Sequence, residues 1–146
     1  MKSENKIEIP ENHKRSLSVT SQHIENSIEE IEEMLNKKDE KYLTKKVFRN
    51  IDEGTKQKIL ELTAILREQN KKMFEALNLF PNEYFEDRIV RSRISFIWTM
   101  LYDSMPEKMR GYGKLKDDEK EAIKVHIDKL LEIIEELRVL LDKIKE

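Results

Sequence analysis

The chain has 146 residues, 38% of them hydrophobic and 40% charged, with three glycines, three prolines, no cysteine and a formal net charge of −2. The length fits one domain with one sizeable core. The composition excludes a disulfide scaffold and thiolate chemistry, argues against a structural zinc site, and supplies no global pull toward nucleic acid or an anionic membrane.

Scarce helix breakers and abundant Lys, Glu, Leu and Ile favour long helices over strands. Because the apolar residues recur periodically, the high charge reads as the wet side of amphipathic helices and not as disorder. No stretch approaches the eighteen or so apolar residues of a spanning helix, and the opening MKSENKIEIPENHKRS has no apolar signal core. A cytoplasmic protein without membrane contact is the expectation.

Residues 1–9 are polar apart from Met1, Ile7 and Ile9 and read as a mobile tail, which the two isoleucines are able to pin to the fold. Residues 10–146 read as a single helical-bundle domain. Pro10 suits the first turn of a helix over about 11–37, whose stripe is Leu17, Ser21, Ile24, Ile28, Ile31 and Leu35. Segment 37–51 is ambiguous: Leu43, Val47 and Ile51 fit a short helix, whereas Tyr42, Leu43, Val47 and Phe48 also suit loop anchors. Asp52 is a good N-cap for a helix over about 53–78, with Ile59, Leu62, Leu66, Met73 and Leu77 as its stripe and Gln69 interrupting it.

Asn78 and Pro81 break that pattern, and a third helix restarts near Asn82 or Glu83. Its stripe is Val90, Ile94, Ile97 and Leu101, widened by Phe85, Ile89, Phe96 and Met100. Ser104 to Glu107 has capping-box spacing and predicts a one-turn helix over 105–110, with Gly111 and Gly113 as cheap left-handed positions. The fourth helix carries Asp117, Asp118 and Glu119 at its start and Lys143 and Lys145 at its end, matching the helix dipole. Ile123, Ile127, Leu130, Ile134, Leu137, Leu141 and Ile144 step four and three in alternation, a coiled-coil-type seam that Leu131, Ile133 and Leu140 widen. The predicted fold is all-α: a four-helix bundle, up-down-up-down, with a short extra helical turn between helices 3 and 4. The connection between helices 1 and 2 is long enough for either a local excursion or a crossover.

Chemistry has little visible equipment. A di-metal carboxylate bundle needs Glu-x-x-His pairs, and none of His13, His23 and His126 lies three residues after a Glu. His126 and His23 read as boundary residues beside their seams. Paired carboxylates such as Glu29-Glu30 read as solvated surface, and there is no nucleophile elbow or phosphate-binding glycine loop. No catalytic, cofactor or metal site is expected. Residues 37–58 hold eight Lys or Arg against four Asp or Glu with interleaved aromatics, a pattern that suits single-stranded nucleic acid, but nothing elsewhere repeats the basic bias.

One cluster stands out as a possible interaction patch. Arg93 lies close to the apolar surface of the third helix, where its stem packs and its head pairs with a Glu of helix 1 or 4, or meets an anion or partner. Trp98, Tyr102, Met105 and Tyr112 concentrate aromatic and thioether surface at the end of that helix, a composition that suits core filling or an adaptable binding surface. The function expected is a noncatalytic interaction or structural module that self-associates as a homo-oligomer, at least a dimer. The alternative is a small-molecule-sensing regulatory bundle.

Overall fold

The computed structural model describes residues 6–37 and 43–144. Among the described residues the chain forms four α-helices, α1 (Glu11–Asn36), α2 (Glu53–Ala76), α3 (Glu86–Asp103) and α4 (Asp117–Asp142), and no strand. Two 3-10 turns, Pro106–Lys108 and Arg110–Tyr112, stand between α3 and α4. The chain is all-α, and it divides into two compact units, Met1–Asn82 and Glu83–Glu146. Each is a pair of helices packed against one another, α1 with α2 and α3 with α4.

In the first unit Asp52 caps α2, accepting from the Thr55 N–H at 2.8 Å and the Thr55 hydroxyl at 3.0 Å. That bond holds the Asp52 carboxyl below the usual carboxylate range. The far end of α2 closes on Asn78, which takes a positive φ of 52°, and the Leu79 N–H reaches back to the Phe74 carbonyl at 2.9 Å. This six-to-one bond and the burial of Leu79 make a Schellman-type stop. Of the N-terminal tail, residues 1–5 lie outside the described residues. Next to them Ile7 donates its N–H to the Ala76 carbonyl at 3.0 Å, and Glu8 pairs with Lys14.

The seam between α1 and α2 is not the expected apolar stripe. Ile28, fully buried, and Leu35 lie in it, but so do Lys14, Ser18, Ser21, Thr63 and Asn70. Asn70 accepts from the Ser21 hydroxyl and donates to the Ser21 carbonyl, both at 3.0 Å. Arg67 donates from Nε to Glu25 at 3.1 Å and from Nη1 to Glu32 at 3.0 Å. Ile31, Leu62 and Leu66, assigned to the core by periodicity, are exposed, Leu62 at 64%. The seam is turned because two sets of polar groups pair across it, Ser21 with Asn70 and Arg67 with Glu25 and Glu32, and each satisfies donors and acceptors that an apolar helix would leave unmet, whereas the buried Ser18 hydroxyl has no hydrogen-bond partner among the described residues. The pairing of Ser21 with Asn70, of Glu32 with Arg67 and of Ile7 with Ala76 runs the helices antiparallel.

The connection between them is therefore a local excursion. Residues 43–52 contain no helix, Leu43 and Phe48 are exposed, and only Val47 of the expected anchors is partly covered. Tyr42 lies outside the described residues.

In the second unit α3 begins at Glu86, later than the Asn82 or Glu83 that the pattern suggested. Residues 79–85 stay irregular because Leu79 is buried and the Asn82 side chain donates to the Ser18 carbonyl at 3.1 Å, which holds the chain across the end of the first hairpin. Ser104 does not cap the following turn. Its hydroxyl donates back to the Met100 carbonyl at 2.7 Å, so the expected capping box at Ser104–Glu107 is absent and two 3-10 turns replace the single helical turn. Of the two glycines there, Gly113 alone uses a positive φ, 117°. Glu119 instead reaches back to the Lys116 N–H at 2.8 Å and fixes the start of α4.

Ile94, Ile134 and Leu141 form the core of this hairpin with Leu101 packed against them, and Ile127 continues the buried row of α4. Arg91 of α3 bridges to Asp142 at 3.0 Å and to the Leu141 carbonyl, so the start of α3 meets the end of α4 and the pair is antiparallel. Val90 and Ile97 leave the seam to Asp87 and Arg91, both partly covered.

Candidate functional site

The α3–α4 hairpin has two unlike faces. On one side of its seam, Arg91, Ser95, Trp98 and Thr99 of α3 and Glu135, Arg138 and Asp142 of α4 line a groove of about 420 Å³ floored by Ile94, Ile134 and Leu141. Trp98 and Tyr102, four apart and so on one helix face, stack with ring centroids 5.2 Å apart and planes 6° from parallel. Lys108 sets its ammonium 4.9 Å from the Tyr102 ring centre. Met105, next along the chain, is half-buried and donates its N–H to the Tyr102 carbonyl at 3.2 Å. Trp98 and Tyr102 therefore stack on one face, with Met105 the next turn along the chain, whereas Tyr112 stands out in solvent at 85% exposure.

Arg93 is not part of that cluster. It lines a separate shallow groove with Tyr84, Phe85, Arg88 and Ile89, on the other side of the helix. The arginine that reaches α4 is Arg91, not Arg93. The signal that distinguishes them is spacing: Asp87, Arg91, Ile94, Trp98 and Leu101 step four, three, four, three, which places Arg91 on the seam row.

The opposite face is apolar on α4, and on α3 it carries apolar residues with Arg93 among them. Ile89, Phe96 and Met100 of α3 and Leu130, Ile133, Leu137 and Leu140 of α4 are all exposed, Ile133 at 54% and Leu140 at 59%. Helix geometry sets each of these rows to the side of its seam away from the Trp98 groove. In α4 the sequence shows one wide stripe; the structure resolves it into two interleaved rows. Ile127, Ile134 and Leu141 are buried, and Leu130, Ile133, Leu137 and Leu140, with Ile144 just past the helix, are exposed.

The remaining candidates are occupied structurally. In the basic stretch, Arg49 donates to the Met34 carbonyl at 2.8 Å and so serves the C-terminal end of α1, a role a basic residue near a helix end commonly takes. Lys46 lies 5.2 Å from the centre of the exposed Phe48 ring. His13, His23 and His126 are exposed, and among the described residues no three His, Asp or Glu side chains converge as metal donors. Glu8 and Glu32 are held below the usual carboxylate range by hydrogen bonds from Lys14 and Arg67, the reverse of the raised pKa that a general acid needs. Lys124 is pushed up by its 2.7 Å bond to Asp128, an exposed helical pair. A wide, open cavity of about 890 Å³ near the 3-10 turns is lined by both signs of charge, among them Glu107, Arg110, Lys120 and Glu121. Comparison with protein-family models, with characterised proteins and with solved structures finds no match to this chain.

Proposed function

We propose that the protein is a noncatalytic helical interaction module that self-associates, at least to a dimer, through apolar surface. The observation that carries this reading is the outward row of α4 together with the exposed apolar residues of α3 beside it. Contiguous apolar surface beyond a few hundred Å² is rare on monomers and marks contact sites. Several charged groups of the same hairpin are meanwhile engaged locally, as in Arg91–Asp142, Lys124–Asp128 and Arg138–Glu135. The setting proposed is cytoplasmic; among the described residues no helix is long and apolar enough to cross a membrane.

Sedimentation equilibrium over a range of protein concentrations, at low and high salt, tests the reading. A dimer that persists at high salt is expected, because screening weakens ion pairs and leaves apolar burial intact or stronger. A monomer at high concentration overturns self-association, and a dimer that dissociates in salt overturns its apolar basis.

A second reading rests on the Trp98 groove, whose apolar floor and two guanidinium groups suit a small amphipathic anion. Arg91 and Arg138 already pair with Asp142 and Glu135, so such a ligand must displace those partners. Trp98 is the sole tryptophan, so its fluorescence reports this groove alone. Saturable quenching by a small-molecule library member supports sensing.

A further inference from the structure

We propose that α4 is the self-association surface, its row Ile123, Leu130, Ile133, Leu137 and Leu140 packing antiparallel against the same row of a second copy; this rests on the self-association reading. From Leu130 the row steps three, four, three, and His126 fills the one place between Ile123 and Leu130. That is the spacing of a knobs-into-holes seam. It is a second seam on a helix whose first, Ile127, Ile134 and Leu141, is already buried.

Charge selects the partner and its direction. Each of Leu130 and Leu137 is preceded by one exposed charged residue on the outer flank of the row, Lys129 and Glu136. In an antiparallel pair with Leu130 opposite Ile133 of the second copy, Lys129 of each copy flanks Glu136 of the other. Two-fold symmetry makes that contact twice. In the same register Lys143 flanks Ala122, so no like charges meet on this flank. A parallel pair instead sets Lys129 and Glu136 beside Ile134 and Leu141, which are already buried and carry no charge. The helix is therefore complementary to a reversed copy of itself.

The test uses the full-length chain in sedimentation equilibrium, with circular dichroism to confirm the fold of each variant. Leu137→Lys introduces a charge at an exposed position, so the hairpin is expected to stay folded while the dimer weakens at least about 30-fold, because each dimer then buries two uncompensated ammonium groups. Lys129→Glu alone is expected to weaken association by about 5–10-fold at low salt, and the double variant Lys129→Glu/Glu136→Lys to restore it, since reversed charges again meet. A Leu137→Lys chain that dimerises like wild type overturns the α4 assignment and leaves self-association standing elsewhere. A double variant no stronger than the single overturns the antiparallel register. A wild-type chain that stays monomeric overturns both this inference and the reading beneath it, and leaves the row to a different protein.

Discussion

Asn78 carries a positive φ at the end of α2 because the chain must turn left-handed there for Leu79 to fold back on Phe74. Asparagine tolerates this conformation and β-branched residues do not, so Asn78→Val is expected to cost about 1–2 kcal/mol in denaturant melts and Asn78→Gly markedly less. Glu32 marks a second residue-scale control. Its carboxyl is held below the usual range chiefly by the Arg67 hydrogen bond. A group whose folded pKa is depressed lends stability that is complete above its unfolded value, about 4.3, and is lost as pH falls through the folded value. Chemical denaturation from pH 6 downward is expected to show the wild type losing stability below about pH 4.5, with a shallower loss in Glu32→Gln. The Asp52 cap was legible in the sequence because its partner is three residues away. The Arg67 clamp was not, because Glu25 and Glu32 lie 42 and 35 residues distant and only the packed hairpin brings them close.

At the scale of the element, where α1, α2 and α4 begin could be read closely, whereas the start of α3 and which face the helices bury could be read only in part. The boundaries of α1 and α4 follow from local chemistry: a proline ahead of Glu11, acidic residues in the first turn of α4. Faces depend on what the partner offers. Periodicity counts apolar residues, so it chose Leu62 and Leu66 of α2, while the structure buries Thr63, whose hydroxyl bonds the Leu60 carbonyl of its own helix, and Asn70, which α1 bonds through Ser21. In α4 both rows are apolar, and the sequence shows a broad stripe without saying which half meets α3. Neighbouring residues separate the two. Ile134→Ala is expected to cost about 2–5 kcal/mol through lost burial and a cavity. Ile133→Ala, at low protein concentration, is expected to stay within about 0.5–1 kcal/mol. Equal losses in thermal or denaturant melts would place the α3 contact on the wrong row. The interaction patch split for the same reason: Arg93 and Trp98 are close in sequence but five residues apart on a helix, which sets them on different sides.

At the scale of the molecule, composition and periodicity were enough for the all-α class and for the absence of a thiol or disulfide framework. They did not show that the described residues divide into two hairpins, each with a small buried set: Ile28, Leu35 and Leu79 in the first, Ile94, Ile127, Ile134 and Leu141 in the second. Units that bury so little apolar area are marginal alone, and partner binding that favours the folded state raises apparent stability by mass action. The melting temperature is therefore expected to rise by several degrees as protein concentration is increased about 100-fold, read by circular dichroism or calorimetry. A melting temperature independent of concentration would mean that folding owes nothing to association. The Ser21–Asn70 pair bears on a different hazard. Two helices with seven-residue repeats can slide past each other by one repeat, about 10.5 Å, and still match apolar to apolar. Displaced by that step, Asn70 would face Lys14 or Ile28 and Ser21 would face Thr63 or Leu77, and the reciprocal bonds between the two would be lost. The pair thus acts as an index mark on an otherwise repetitive rail, making one alignment of the hairpin distinguishable from its near copies.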